Sequence, residues 1–131
     1  MMKIIYLLVI GLMTSFSSDL ENREELDLNV LIGEWTLDMS PQDKTDANFT
    51  QMKITKVTDY SFKGEFYREG VKIRNANINT QMGIIYGALV SGDNSGEYHT
   101  TFYYEDGVLH GTTHSVSRDF LAVWTATKDE E

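Results

Sequence analysis

The chain has 131 residues, 41% of them hydrophobic, and a formal net charge of −9. That is room for one domain, with too much apolar content for a disordered body. The charge disfavours nucleic-acid and anionic membrane partners, and the lack of Cys excludes disulfides, thiol catalysis, thiolate metal sites and a lipidated Cys anchor.

Residues 1–17 read as a signal peptide: Lys3, then the apolar run Ile4–Met13, then small residues with Ser15 and Ser17 suited to positions −3 and −1 of a cleavage site. The run is about ten residues, too short to cross a bilayer as a helix. The protein is therefore expected to be exported, secreted or periplasmic, with no stable membrane insertion once the signal is removed. Residues 18–29 are acidic and polar, a lead-in that is either mobile or forms a short plug over one end of the domain.

The first strong strand signal is Val30-Leu31-Ile32-Gly33-Glu34-Trp35-Thr36-Leu37, in which Gly33, Trp35 and Leu37 share a face. A long polar loop follows from Ser40 to Asn48, and Phe49 to Val57 is the second strand. Tyr60, Phe62, Gly64 and Phe66 alternate with Ser61, Lys63, Glu65 and Tyr67, as a half-buried strand does. Glu69-Gly70 reads as a two-residue hairpin turn, which would set Glu65 opposite Arg74, Gly64 opposite Asn75 and Phe62 opposite Asn77. That register puts Asn75, Asn77 and Asn79 inward with Phe62 and Phe66. A buried amide without partners costs about 1–3 kcal/mol, so the amides need a partner, and a ligand wall is one that would serve.

Ile84 to Ser91 is apolar on both faces, and Ser91 to Gly96 reads as a flexible loop. Asp106-Gly107 is the strongest hairpin signal in the chain. It sets Tyr103 opposite His110, Thr101 opposite Thr112 and His99 opposite His114. The other face carries Tyr98, Thr100, Phe102, Tyr104, Leu109, Gly111 and Thr113, joined through the Arg118-Asp119 turn by Ala122, Trp124 and Ala126. Large aromatics among Gly, Ala and Thr suit a curved interior that leaves space. This face is assigned inward and the histidines outward, although Val116, Leu121 and Val123 fall on the histidine side.

Eight strands result, near 30–39, 49–57, 60–68, 71–80, 84–91, 97–105, 108–116 and 120–127. The fold class expected is all-β, an eight-stranded antiparallel up-and-down β-barrel over residues 30–128. Closure would also remove the exposed edges. His110 and His114, four apart on a strand, lie about 13 Å apart and cannot share a metal. No metal site, cofactor or catalytic motif is indicated: there is no Gly-x-Ser-x-Gly, phosphate loop, dinucleotide fingerprint or His-Glu-x-x-His.

Gly33-Glu34-Trp35 in the first strand of such a run, behind an export signal, resembles the lipocalins and the wider calycin group. The resemblance implies a small barrel that holds a ligand inside, with Gly33 and Trp35 structural and a long first connection across the open mouth. It also implies that Trp35 packs at the closed end under a basic residue from near the last strand, for which the chain offers Arg118 or Lys128. The expected function is binding of a small uncharged amphipathic ligand inside the barrel by Asn75, Asn77, Phe62, Phe66, Phe102, Tyr104 and Trp124. A barrel enzyme of isomerase or decarboxylase type is one alternative, and would need a carboxylate and a cation meeting in the cavity. A filled barrel that binds proteins is the other, and would show a packed core with an exposed apolar patch.

Overall fold

The computed structural model describes residues 26–130. The signal peptide, its cleavage after Ser17 and most of the lead-in lie outside the described residues. The rest forms one antiparallel sheet of eight strands: β1 (Gly33–Asp38), β2 (Phe49–Val57), β3 (Phe62–Tyr67), β4 (Ile73–Asn79), β5 (Tyr86–Asp93), β6 (Gly96–Glu105), β7 (Val108–Ser115) and β8 (Phe120–Lys128). The strand order is β3-β2-β1-β8-β7-β6-β5-β4, so the first and last strands pair and the sheet curls into a nearly closed barrel.

The residues before Gly33 do not extend β1. Leu28–Leu31 form a 3-10 turn whose start is capped by Asp27, which accepts from the Asn29 N–H at 3.0 Å. Leu31 is buried, and its carbonyl accepts from Trp35 Nε1 at 2.8 Å. The turn packs Leu28, Val30 and Leu31 onto the core and so plugs this end of the barrel, and the indole beneath it has its one donor satisfied.

The seam lies between β3 and β4. Their hairpin turn does form, with Val71 N–H donating to Arg68 at 3.2 Å. The pairing beyond it is displaced by two residues, so Glu65 meets Lys72 in a single bridge and not Arg74. Arg74 reaches instead to Glu97, 3.2 Å away. At the far end Ile78 N–H donates to the Tyr60 carbonyl at 2.8 Å and Ser61 Oγ to that of Ala76 at 2.8 Å. Tyr60 itself sits in the Thr58–Ser61 turn and points to solvent, a correction to its expected place on the inner face.

β4 corrects the expectation for the asparagines. Ile73 pairs with Ser91, but Asn75 pairs with Val90, so Arg74 is an extra residue in a bulge. A bulge of one residue exchanges the two faces of everything after it. Val71 faces inward before it, and Ala76 and Ile78 are buried after it, while Asn75, Asn77 and Asn79 are exposed. The inward amides that called for a ligand are on the outside, where water satisfies them.

The registers of β6, β7 and β8 are as expected from the two turns. Asp106 and Gly107 both have positive φ, 50° and 82°, as a tight hairpin of this kind requires. The stretch after Ser91 is no flexible loop. β5 runs on to Asp93, which pairs with Gly96 across a two-residue turn.

Candidate functional site

The space that Gly87 and Gly111 leave inside the barrel is occupied. Gly87, Phe102, Gly111 and Trp124 are direct neighbours across β5 to β8. A Cβ on Gly87 would stand 2.3 Å from Phe102 Cζ, and one on Gly111 2.3 Å from Trp124 Cζ2. Each ring lies flat over the glycine beside it, so ring and glycine fill one another's volume.

Rings from the opposite wall complete the filling. Phe62 meets Phe102 at 5.8 Å between centroids, and Phe66 meets Trp124 at 6.2 Å. The interior hydroxyls serve each other: Trp124 Nε1 donates to Thr113 Oγ1 at 3.0 Å, which shares a 2.9 Å hydrogen bond with Thr100. Of the expected ligand wall, Phe62, Phe66, Phe102 and Trp124 are core residues in mutual contact and Tyr104 is half-buried, while Asn75 and Asn77 stand outside.

At the plugged end, Trp35 is buried with Lys128 Nζ 5.4 Å from its ring centroid. Of the two cations named for this place, Lys128 fills it. Arg118 lies at the other end, in the turn that precedes β8.

A groove of about 590 Å³ crosses the outer face of β4 to β8. Two cross-strand rows form its walls: Tyr86, Tyr103, His110 and Thr125 in one, Ala88, Thr101, Thr112 and Val123 in the other. The residues between the rows point inward, so the floor is backbone of the Gly87 to Trp124 row. Tyr103 and His110 stack at 4.8 Å with their rings 14° from parallel, and Tyr86 tilts against Tyr103 at 6.1 Å. Among the described residues, no Asp, Glu, Lys or Arg lines this groove. Asn77 does, at its β4 edge. Aromatic faces with amide and hydroxyl groups beside them suit a neutral ligand that has both apolar and hydrogen-bonding parts.

The perturbed titratable groups gather at the unplugged end, where β3 and β5 finish and β6 and β8 start. Asp93 Oδ2 accepts from the Tyr67 hydroxyl and from Arg68, each at 3.2 Å, and Oδ1 accepts from the Ser95 N–H at 2.8 Å and from its hydroxyl. The Ser95 hydrogen bonds, aided by Tyr67 and Arg68, hold Asp93 down to about 2 against the opposing effect of burial. Tyr98 is buried with its ring 5.1 Å from that of Tyr67. Its hydroxyl shares a hydrogen bond with Ser95 and accepts from Arg118 Nη1 at 3.0 Å. Burial pushes the Tyr98 phenol up, but Ser95, Arg118 and Tyr67 together pull it below its ordinary value. Tyr67 goes the other way: Arg68 pulls it down, while burial, Tyr98 and Asp93 outweigh that and raise it. This cluster comes from three separate stretches of chain, Tyr67-Arg68, Asp93 to Tyr98 and Arg118, with no shared spacing. Its only local trace is Asp93-Asn94-Ser95, a pattern in which an Asp side chain caps the backbone two residues on.

These strands and sites define a nearly closed, eight-stranded antiparallel β-barrel. No family model matches the sequence, and neither a curated protein nor a solved structure matches the chain significantly.

Proposed function

We propose that this chain is an exported, lipocalin-like protein that binds a small uncharged amphipathic molecule, and that the ligand lies in the outer groove and not among the core rings. The lipocalin likeness draws support from Gly33-Glu34-Trp35 opening the first strand, from Lys128 over Trp35 and from the 3-10 plug against it. The observation that carries the ligand class is the groove lining: Tyr86, Tyr103 and His110 opposite Thr112 and Val123, with no Asp, Glu, Lys or Arg among the described residues, on a chain of net charge −9.

The test uses a short-chain alkyl glucoside, below its micelle concentration, as a neutral amphipathic probe. Backbone amide shifts are followed by NMR. Saturable shifts confined to β5, β6, β7 and β8 near Tyr103 and Thr112, unchanged by salt and lost in Thr112→Lys, are expected. Shifts scattered over the surface, or binding retained in Thr112→Lys, would overturn the groove as the site.

A second reading, a protein-interaction module, is favoured by Val116, Leu121 and Val123, which are 73%, 65% and 61% exposed. Solvated aliphatic side chains side by side mark contact surfaces more often than isolated ones do. Leu121→Lys separates the two readings: it leaves glucoside binding intact but abolishes capture of a protein partner.

A further inference from the structure

The cleft at the unplugged end has a volume of about 620 Å³. Its charged lining consists of Arg68, Asp93 and Arg118. Asp93 is committed, since both of its oxygens accept hydrogen bonds and Arg68 is its ion-pair partner. Arg118 differs from Arg68 and Arg74: among the described residues, no carboxylate stands within ion-pair distance of it. Two guanidiniums against one carboxylate leave one positive charge, in a protein that is otherwise strongly acidic.

Arg118 is also held in place. Its guanidinium lies over the Phe120 ring at 5.3 Å and the Tyr98 ring at 6.0 Å. Its backbone N–H points to Ser115 Oγ at 3.4 Å, in a turn closed by Asp119 N–H donating to Val116 at 3.2 Å. The turn packs directly onto the start of β6, where a Cβ on Gly96 would come within 2.0 Å of Ser117 Oγ. Gly96 thus allows the approach that brings Arg118 to Tyr98. Next to this pair, Ser91 faces Tyr98 across β5 and β6, and its buried hydroxyl has no hydrogen-bond partner among the described residues.

We propose that this cleft binds a small monocarboxylate, with Arg118 pairing with its carboxylate. One free positive charge matches one negative charge, and the planar guanidinium fork matches the two oxygens of a carboxylate. A phosphate carries more charge than the cleft neutralises. The Tyr67 ring, half-buried in the wall, offers an apolar surface for the ligand body. The site is separate from the neutral groove and takes a different chemical class.

The probe is benzoate, titrated into the full chain by calorimetry, with benzamide as the uncharged isostere and inorganic phosphate as competitor. Benzoate is expected to bind one to one and benzamide not at all, with phosphate a poor competitor. Arg118→Gln is expected to weaken benzoate by about tenfold or more, and Arg118→Lys, which keeps the charge without the fork, by less. Tyr103→Ala, in the outer groove, should leave benzoate affinity unchanged, so this result stands or falls apart from the groove. Equal binding of benzoate and benzamide would overturn the proposal, as would parent-like affinity in Arg118→Gln. Phosphate displacing benzoate at equal concentration would overturn the carboxylate assignment. Should Arg118→Gln fail to fold, Arg118→Lys with parent-like affinity would overturn the role of the fork.

Discussion

Lys128 holds its ammonium 5.4 Å from the centre of the Trp35 ring, the two residues facing each other across β1 and β8. The contact joins the first strand to the last at the plugged end, where the indole N–H is already bound to the Leu31 carbonyl. Trp35→Ala should cost about 3–5 kcal/mol, because it empties a large buried site and frees the plug. Lys128→Ala should cost only about 0.5–1 kcal/mol, the range of an exposed cation over an aromatic ring. Urea unfolding of both single variants and the double variant measures the coupling. If the two effects add, the cation contributes nothing through the ring.

Gly111→Ala should destabilise by about 1–3 kcal/mol, because the new methyl has no room beside Trp124. The ring cannot simply swing aside, since its Nε1 is held by Thr113. A shifted Trp124 fluorescence maximum would accompany the loss. Unaltered stability and emission would mean that the interior has spare volume.

The bulge at Arg74 predicts opposite outcomes at neighbouring positions. Asn77→Leu should change stability by no more than about 0.5 kcal/mol, as for an ordinary exposed site. Ile78→Asn, one residue on, should cost about 2–5 kcal/mol through lost packing and a buried amide. Denaturant midpoints of the two variants settle which face is inward, and a large gain in Asn77→Leu would return the amides to the interior.

Asp93 gives the fold an acid-sensitive element. Its carboxyl is lowered from an ordinary 3.8 to about 2 in the folded protein, so the unfolded chain takes up this proton first as pH falls. The contribution is complete above about pH 4 and is lost as pH falls toward 2. Urea midpoints between these limits should decline in the parent and decline less steeply in Asp93→Asn. Parallel declines would mean that the Tyr67, Arg68 and Ser95 contacts do not favour the carboxylate.

The sequence by itself determined the eight strands, their antiparallel order and the inward face from Tyr98 to Ala126. The reason is local. A period of two assigns faces, and the turns at Asp106-Gly107 and Arg118-Asp119 lock neighbouring strands in register with no irregularity between them. Trp35 as a core residue was legible for the same reason. Tertiary structure decided the rest. The bulge at Arg74 depends on what β4 meets in β5, so Asn75 and Asn77 turned outward against their local pattern. Small residues opposite large rings read equally as space for a ligand or as space for the rings, and only the packing of Phe102 and Trp124 onto Gly87 and Gly111 resolves that. Arg118, Arg68 and the Asp93–Tyr98 stretch meet because barrel closure brings three turns to one end, a proximity that no spacing along the chain encodes.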